Sequence, residues 1–329
     1  MVYSGTGTCP DPNMCGVYHH SSLDGQSWSN AAFVPGSEDI GFWSDPSVVG
    51  APGGRAYIIW FGSKGLEITW TDDLGHSFAP VVAPAPSAPG GYQVSAAVDR
   101  IGNLHMVWAA YDLNLYYLRS FQGLAPPLIA RDPVFLPVQR LSAEDGKFNA
   151  TAFVGVDDAG YVAIAYVTVP PRTIACTRAY QGLNFPPSVS LGSADRIQLA
   201  VFADGAVTIL LDATGGNQEK IWSLVAMDGE HFEGPFQVSE NKGGLMNKRE
   251  VCAGRNGALY AILGEEWQGM GILYHLTYRE SHDHGRTFPR RELVWDNNQY
   301  PGAAEQSLAV TPDGWRCMVE QVVRYTQSR

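Results

Sequence analysis

Short apolar runs alternate along this chain with polar, glycine-bearing breaks, and one arrangement recurs. An apolar run is followed by a turn containing glycine and then by a second apolar run. It reads PSVVGAPGGRAYIIWFG (46–62), SAAVDRIGNLHMVWAAY (95–111), TAFVGVDDAGYVAIAYV (151–167), IQLAVFADGAVTILLDA (197–213), EVCAGRNGALYAILGEE (250–266) and SLAVTPDGWRCMVEQVV (307–323). Runs of this length, bounded by turn residues, predict hairpins of two buried strands. The turn glycines are Gly54, Gly102, Gly160, Gly205, Gly257 and Gly314, at steps of 45 to 58 residues. Such a period marks a repeat architecture. No apolar run approaches the ~18 residues of a membrane-spanning helix, so no membrane insertion is expected.

Between the hairpins lies a second recurring element that ends in Gly-x-x-aromatic. Its copies are Gly25/Trp28, Gly75/Phe78, Gly182/Phe185, Gly229/Phe232 and Gly285/Phe288, with Pro126 in the aromatic place after Gly123. TDDLGHSF (71–78) and SHDHGRTF (281–288) both fit Ser/Thr-x-Asp-x-Gly-x-Ser/Thr-Phe, while SSLDGQSW (21–28) and VAMDGEHF (225–232) carry the Asp next to the Gly. The chemistry suits a strand-to-strand turn. Asp24, Asp73, Asp228 and Asp283 accept backbone N–H groups, the glycine takes positive φ, and the aromatic plugs the layer beneath.

This pattern resembles the Asp-box of bacterial neuraminidase (BNR) repeats. The resemblance implies an all-β fold, a sialidase-like six-bladed β-propeller of four-stranded antiparallel blades that covers essentially the whole chain. One blade is expected to close the ring by joining residues 1–36, which supply two outer strands, to residues 302–325. The others are expected at about 38–85, 90–137, 147–192, 194–240 and 247–297. Radial repetition keeps 329 residues in a single domain, although lengths above about 250 usually divide. The proline-rich stretches 81–91 and 123–137 read as connections between blades.

Composition agrees with strands and turns. Charged residues are 17% against roughly 25% in an ordinary soluble domain, glycine is 36 of 329, and aromatics are 11%. A hydrophobic content of 45% excludes disorder, and the low Ala/Glu/Lys/Leu/Arg share excludes coiled coil. A net charge of −11 argues against nucleic acid, which needs a basic face. The five cysteines have no zinc or CxxC spacing. Cys9 and Cys15 bracket one loop, and both a local disulfide there and five free or buried thiols stay open. The amino terminus, MVYSGTGTCP, lacks the basic and apolar regions of a signal peptide. The resembled fold favours an extracellular or virion-associated place, and a cytosolic one stays open.

Repeat alignment locates candidate chemistry at one end of the strands. Nine residues before each turn glycine stand Asp45, Gln93, Thr151, Arg196, Lys248 and Glu305, all polar. Six residues after it stand Trp60, Trp108, Tyr166, Leu211, Leu263 and Glu320. Aromatic faces beside carboxylates and guanidinium groups suit a sugar, the rings stacking on its C–H face and the charged groups forking to hydroxyls. Trp60, Trp108, Tyr166, Gln93, Arg196, Lys248 and Arg249 are therefore candidate ligand contacts. A second reading has the same polar groups binding water and one another while the aromatics pack between blades.

The last hairpin is similar to the end of sialidases at Ser307, Leu308 and Glu320, but the position of the nucleophilic tyrosine holds Glu305. The stretch 44–46, where the family has Arg-Ile-Pro, reads Ser-Asp-Pro, and near Gly264 no second arginine appears. The tri-arginine clamp for a sialic carboxylate is thus incomplete, and sialidase activity is not expected. Asp45, Glu305 and Glu320 are the candidate catalytic carboxyls toward a neutral sugar, with Glu265 and Glu266 behind them. Alternatively, Glu305 and Glu320 neutralise Arg196 and Lys248. His19-His20 and His282-x-His284 have metal-like spacing, but the latter falls inside a turn element, and neither a metal nor a cofactor is expected. Three functions follow: glycan recognition without catalysis, glycoside hydrolysis of a non-sialic sugar, and a protein-binding disc in an assembly. The expected partner is a carbohydrate or glycoconjugate in the first two and protein in the third.

Overall fold

A computed structural model describes residues 2–4, 16–19, 21, 29–40, 44, 46–121, 133–141, 148–169, 172–212, 220–239, 243–244, 251–254, 256–266, 274–295, 305–310 and 316–321. All regular structure among them, one short 3₁₀ turn apart, is β, and every pairing is antiparallel. Contacts divide the chain into two compact units. The first comprises 1–170 with 177–187, and the second comprises 171–176 with 188–329.

In the first unit, β1 (Val2–Ser4), β2 (Val17–His19) and β3 (Ala32–Phe33) form a three-stranded sheet, one short strand more than the sequence suggests. A four-stranded meander follows, from β4 (Ser47–Gly50) through β5 (Ala56–Gly62) and β6 (Gly65–Thr71) to β7 (Val82–Ala85). The next runs from β8 (Gly91–Val98) through β9 (Leu104–Ala110) to β10 (Leu115–Phe121), whose far edge is shared by two short pieces, β11 (Val134–Phe135) and β12 (Gln139–Arg140). The third meander is β13 (Phe148–Val156), β14 (Tyr161–Val169), β15 (Thr173–Tyr180) and β16 (Val189–Ser190), and the boundary between the units passes through β15.

The second unit continues with β17 (Arg196–Val201), β18 (Val207–Asp212), β19 (Ile221–Ala226) and β20 (Glu233–Gln237). In the next meander the first strand is split into β21 (Gly243–Gly244) and β22 (Val251–Ala253), followed by β23 (Leu259–Glu266), β24 (Tyr274–Ser281) and β25 (Arg290–Trp295). A two-stranded sheet, β26 (Glu305–Val310) with β27 (Arg316–Gln321), is the last among the described residues.

The middle strands carry the core. β5, β9, β14, β18 and β23 are apolar on both faces because each is flanked by strands and covered by neighbouring layers. Tyr57, Ile59, Leu66, Ile68, Leu104, Met106 and Trp108 form one continuous buried cluster in the first unit. Leu210, Ile221, Val251, Leu259 and Leu263 belong to another in the second.

The turns 71–78 and 281–288 are nearly superposable in their hydrogen bonds. The Thr71 and Ser281 hydroxyls donate to Oδ1 of Asp73 and Asp283, each at 2.7 Å. The same hydroxyls accept the N–H groups of Gly75 and Gly285 at 2.8 Å. Ser77 and Thr287 donate N–H to the same carboxylates at 2.9 Å and O–H at 2.6 and 2.7 Å. Asp228, displaced by one residue, instead accepts the N–H groups of Glu230 and His231. Asp24 lies outside the described residues.

The turn 281–288 and the related turn at Gly182 also join sheet to sheet through carbonyls that the sequence does not announce. In the second unit, Thr208 of β18 donates to the His284 carbonyl and Ser223 of β19 to that of Gly285, both at 2.5 Å. In the first unit, Arg119 of β10 donates to the Gln181 carbonyl and Gln139 of β12 to that of Gly182. The residue before each of these glycines has positive φ, 60° at His284 and 51° at Gln181, and both carbonyls of the pair are held by the adjacent sheet. The element's aromatic plugs the same seam: Phe185 meets Tyr117 edge-on at 5.0 Å, and Phe288 packs on the second unit's core.

Burial pushes the Asp283 carboxyl up, but its bonds from Thr287 and Ser281 outweigh this and hold it below the usual carboxylate range. A carboxyl depressed in the folded state adds stability above its unfolded pKa and loses it as pH falls through the folded value. Asp283→Ala is expected to cost about 1–3 kcal/mol at neutral pH. The deficit against wild type should shrink on acidification, as urea midpoints measured across pH would reveal.

Candidate functional site

The residues expected at the strand ends of the first unit divide between core and rim. Trp60 is fully buried with Val17, Val34, Ile40 and Ile58, and its indole N–H donates to Glu67 Oε2 at 3.0 Å. Trp108 is 1% exposed, and its indole N–H donates to the Pro89 carbonyl at 3.0 Å. Tyr166 is buried opposite Ala152. None of the three offers an open ring face, because each lies on a middle strand covered on both sides. Gln93 and Thr151 are half-buried on the first strands of their meanders, and Thr151 Oγ1 has no hydrogen-bond partner among the described residues. Asp45 lies outside the described residues.

An open ring at this end is Tyr111, 53% exposed in the β9–β10 connection. Its N–H donates to the Gly90 carbonyl at 2.9 Å. A Cβ on Gly90 would stand 3.4 Å from Tyr111 Cε2 and 3.9 Å from Phe61 Cδ1, so the glycine backs the tyrosine ring against the neighbouring meander. Beside Tyr111, Asp112 accepts the Tyr116 hydroxyl at 2.6 Å and the Asn114 N–H at 3.1 Å. Tyr116 is itself stacked on Trp108, centroids 5.7 Å apart, and Arg140 Nε donates to Asn114 Oδ1 at 3.0 Å. The buried tryptophan thus anchors the exposed turn. Burial raises Asp112, but the Tyr116 and Asn114 donors hold it below the usual carboxylate range.

On the adjoining β5–β6 hairpin, two carboxyls converge over Gly62. A Cβ there would meet Glu67 Oε2 at 2.6 Å and Asp39 Oδ1 at 3.0 Å. The two oxygens therefore lie at or inside the roughly 5.5 Å spacing of a retaining carboxyl pair. Glu67 accepts the Lys64 N–H at 3.2 Å as well as the Trp60 indole, and Asp39 accepts the N–H and hydroxyl of Ser63. Burial first, and then the Asp39 charge, push the Glu67 carboxyl above its ordinary range.

In the second unit, Arg196 is exposed at the start of β17, and its N–H donates to Asp212 Oδ1 at 2.5 Å. Arg172 forms an ion pair with the neighbouring Asp195. Along β26–β27, Glu305 pairs with Gln321 and Glu320 with Gln306. Positions 305 and 320 thus fall on opposite faces of the ladder, since successive strand positions alternate. Lys248 and Arg249 lie outside the described residues, as do Cys9, Cys15 and His20. His282 pairs with Glu280, and His284 with Asp204.

Sequence reasoning missed Tyr111, Asp112, Asp39 and Glu67. Counting six residues past Gly102 reached the buried Trp108, whereas the connection itself, three residues further on, holds the exposed tyrosine and aspartate.

No protein-family model matches the sequence, and no curated protein matches it. Solved structures do. An ulvan lyase of a polysaccharide lyase family, bound to a GlcA(1-4)Rha3S fragment, aligns with a TM-score of 0.58 at 11% identity, covering 93% of this chain and 84% of that one. A lectin of Aleuria aurantia in complex with Fucα1-6GlcNAc aligns at 0.51 with 9% identity, covering 87% and 91%. Hydrazine synthase of Kuenenia stuttgartiensis aligns at 0.58 with 15% identity, covering 86% and 75%. At such identities the likeness shows the fold, a β-propeller of four-stranded antiparallel blades, and chemistry has to be argued from the site.

Proposed function

We propose that the chain is a glycan-binding propeller that engages sugar at the first unit's rim, with Tyr111 as stacking platform and Asp112 as hydroxyl acceptor. The observation that carries this is an exposed tyrosine ring backed by Gly90 beside a carboxylate locked by Tyr116. A ring held in place spends little conformational entropy on binding, and a fixed acceptor selects hydroxyl geometry. The sugar-bound ulvan lyase and Aleuria lectin support the reading by sharing the fold. The Asp-turn repeats, with their matched bonding at 71–78 and 281–288, support a kinship with BNR-type propellers. In this assignment Trp60, Trp108 and Tyr166 are supporting core, and Gln93, on β8 of the same unit, remains a candidate contact.

A glycan array, followed by calorimetry on the strongest hit, tests the proposal. Tyr111→Ala is expected to weaken binding about tenfold, with Tyr111→Phe close to wild type. An array with no retained glycan, or a Tyr111→Ala variant of unchanged affinity, would overturn it.

The Asp39–Glu67 pair favours one further reading, hydrolysis of a neutral glycoside. Glu67, its carboxyl pushed above its ordinary range by burial and by its neighbour's charge, would protonate the leaving oxygen while Asp39 attacks the anomeric carbon. Chromogenic glycosides decide it: turnover lost in both Glu67→Gln and Asp39→Asn supports hydrolysis, and absence of turnover in the wild type removes it.

A further inference from the structure

In the third meander, β14 begins and β15 ends with a tyrosine, and both rings are open to solvent. Tyr161 is 40% and Tyr180 53% exposed. Their centroids lie 5.3 Å apart with 64° between planes, so the rings make a corner. Neither ring hangs free. The Arg178 guanidinium covers one face of Tyr161 at 4.5 Å. Arg178 is tied to the buried Asp157 at 2.5 Å, and Asp157 also accepts the Tyr161 N–H at 2.8 Å. Tyr180 rests against Gly160, whose Cβ would stand 3.7 Å from its Cε2, and the Gln181 N–H donates to the Gly160 carbonyl at 2.7 Å.

The construction repeats that of Tyr111: a solvent-exposed ring laid on a glycine whose carbonyl is bonded by the same segment. It sits, however, at the other kind of sheet end. Tyr111 lies in a connection between second and third strands. Tyr161 and Tyr180 flank the connections between first and second and between third and fourth.

We propose that the Tyr161–Tyr180 corner is a second carbohydrate contact, which takes a single neutral pyranose. Two rings at this angle meet one sugar on its C–H face and on its edge. The guanidinium is neutralised by Asp157, so the corner exerts no net pull on an acidic sugar. Exposed Asp158 and half-buried Gln181, in the flanking turns, supply partners for hydroxyls. A protein partner is a poorer fit, because a stable interface needs about 800 Å² per side and the corner spans two rings. This site is independent of Tyr111, and either stands if the other fails.

Saturation-transfer NMR with methyl pyranosides of gluco, galacto, manno and fuco configuration tests it. At least one sugar is expected to give a signal that persists in Tyr111→Ala and is weakened roughly three- to tenfold in Tyr180→Ala, with Tyr180→Phe near wild type. A urea midpoint for Tyr180→Ala equal to wild type shows that the loss is not unfolding. In the wild type, the same sugar should shift the ring resonances of Tyr161 and Tyr180, a readout that needs no variant. The proposal is overturned if no pyranoside shifts those resonances at millimolar concentration, or if every sugar signal survives Tyr180→Ala.

Discussion

Replacing Gly182 by alanine is expected to destabilise the first unit by more than about 3 kcal/mol, through backbone strain and overpacking together. Gly182 has φ of 64°, and an added Cβ would run into the Tyr117 hydroxyl and stand 2.6 Å from its Cζ. Tyr117 has no room to retreat. It is fully buried, its hydroxyl is bonded to His105 Nδ1 at 2.6 Å, and the other nitrogen of that imidazole faces Asp99 at 3.4 Å. The Gly182 carbonyl also receives Gln139, so a shifted turn would loosen the seam between sheets. Gly160→Ala is the internal control. Its φ is 87°, but the nearest atom to an added Cβ lies 3.7 Å away, so only the left-handed backbone cost of about 1–2 kcal/mol applies. Urea unfolding should separate the two variants clearly. Equal midpoints would mean that Tyr117 does not constrain the turn.

Asp157→Ala is expected to cost about 3–5 kcal/mol, the usual penalty when a buried ion pair loses one partner. The Asp157 and Arg178 side chains are 1% and 12% exposed, and removing the carboxylate strips the guanidinium of its counter-charge in a site that water barely reaches. The same carboxylate holds the β13–β14 turn through the Tyr161 N–H. A double variant, Asp157→Leu with Arg178→Met, should recover much of the loss, because it removes the buried charge along with its partner. Recovery confined to Asp157→Asn would instead assign the effect to the turn bond. Guanidinium-chloride titration of the four chains distinguishes these outcomes.

The strands were readable because their signal is local. An apolar run, a turn glycine and a second apolar run describe a hairpin through residues adjacent in sequence, and the structure forms hairpins at each repeat it describes. The Asp turns were readable for the same reason, since Asp73 and Asp283 bond within their own eight residues. The candidate site was far less legible. Which aromatic faces solvent depends on what packs over a strand from the next sheet, so Trp60 and Trp108 were chosen for their type and proved to be core. Tyr111 closes its repeat and Tyr180 stands two residues before the turn glycine Gly182, positions at which the repeat carries no information about exposure. The carboxyl pair at Gly62 joins Asp39 to Glu67 across two intervening strands, β4 and β5, and no spacing rule connects them.

The amino-acid sequence by itself determined the all-β class, the repeat and the hydrogen-bonded turns, because each follows from backbone preference and side-chain reach over a few residues. Tertiary structure alone decided which rings are open, which carboxyls approach one another and which turn carbonyls bind the neighbouring sheet. Those are properties of side chains brought together from distant segments, and burial, not residue type, settles whether a tyrosine or a tryptophan meets a ligand or fills the core.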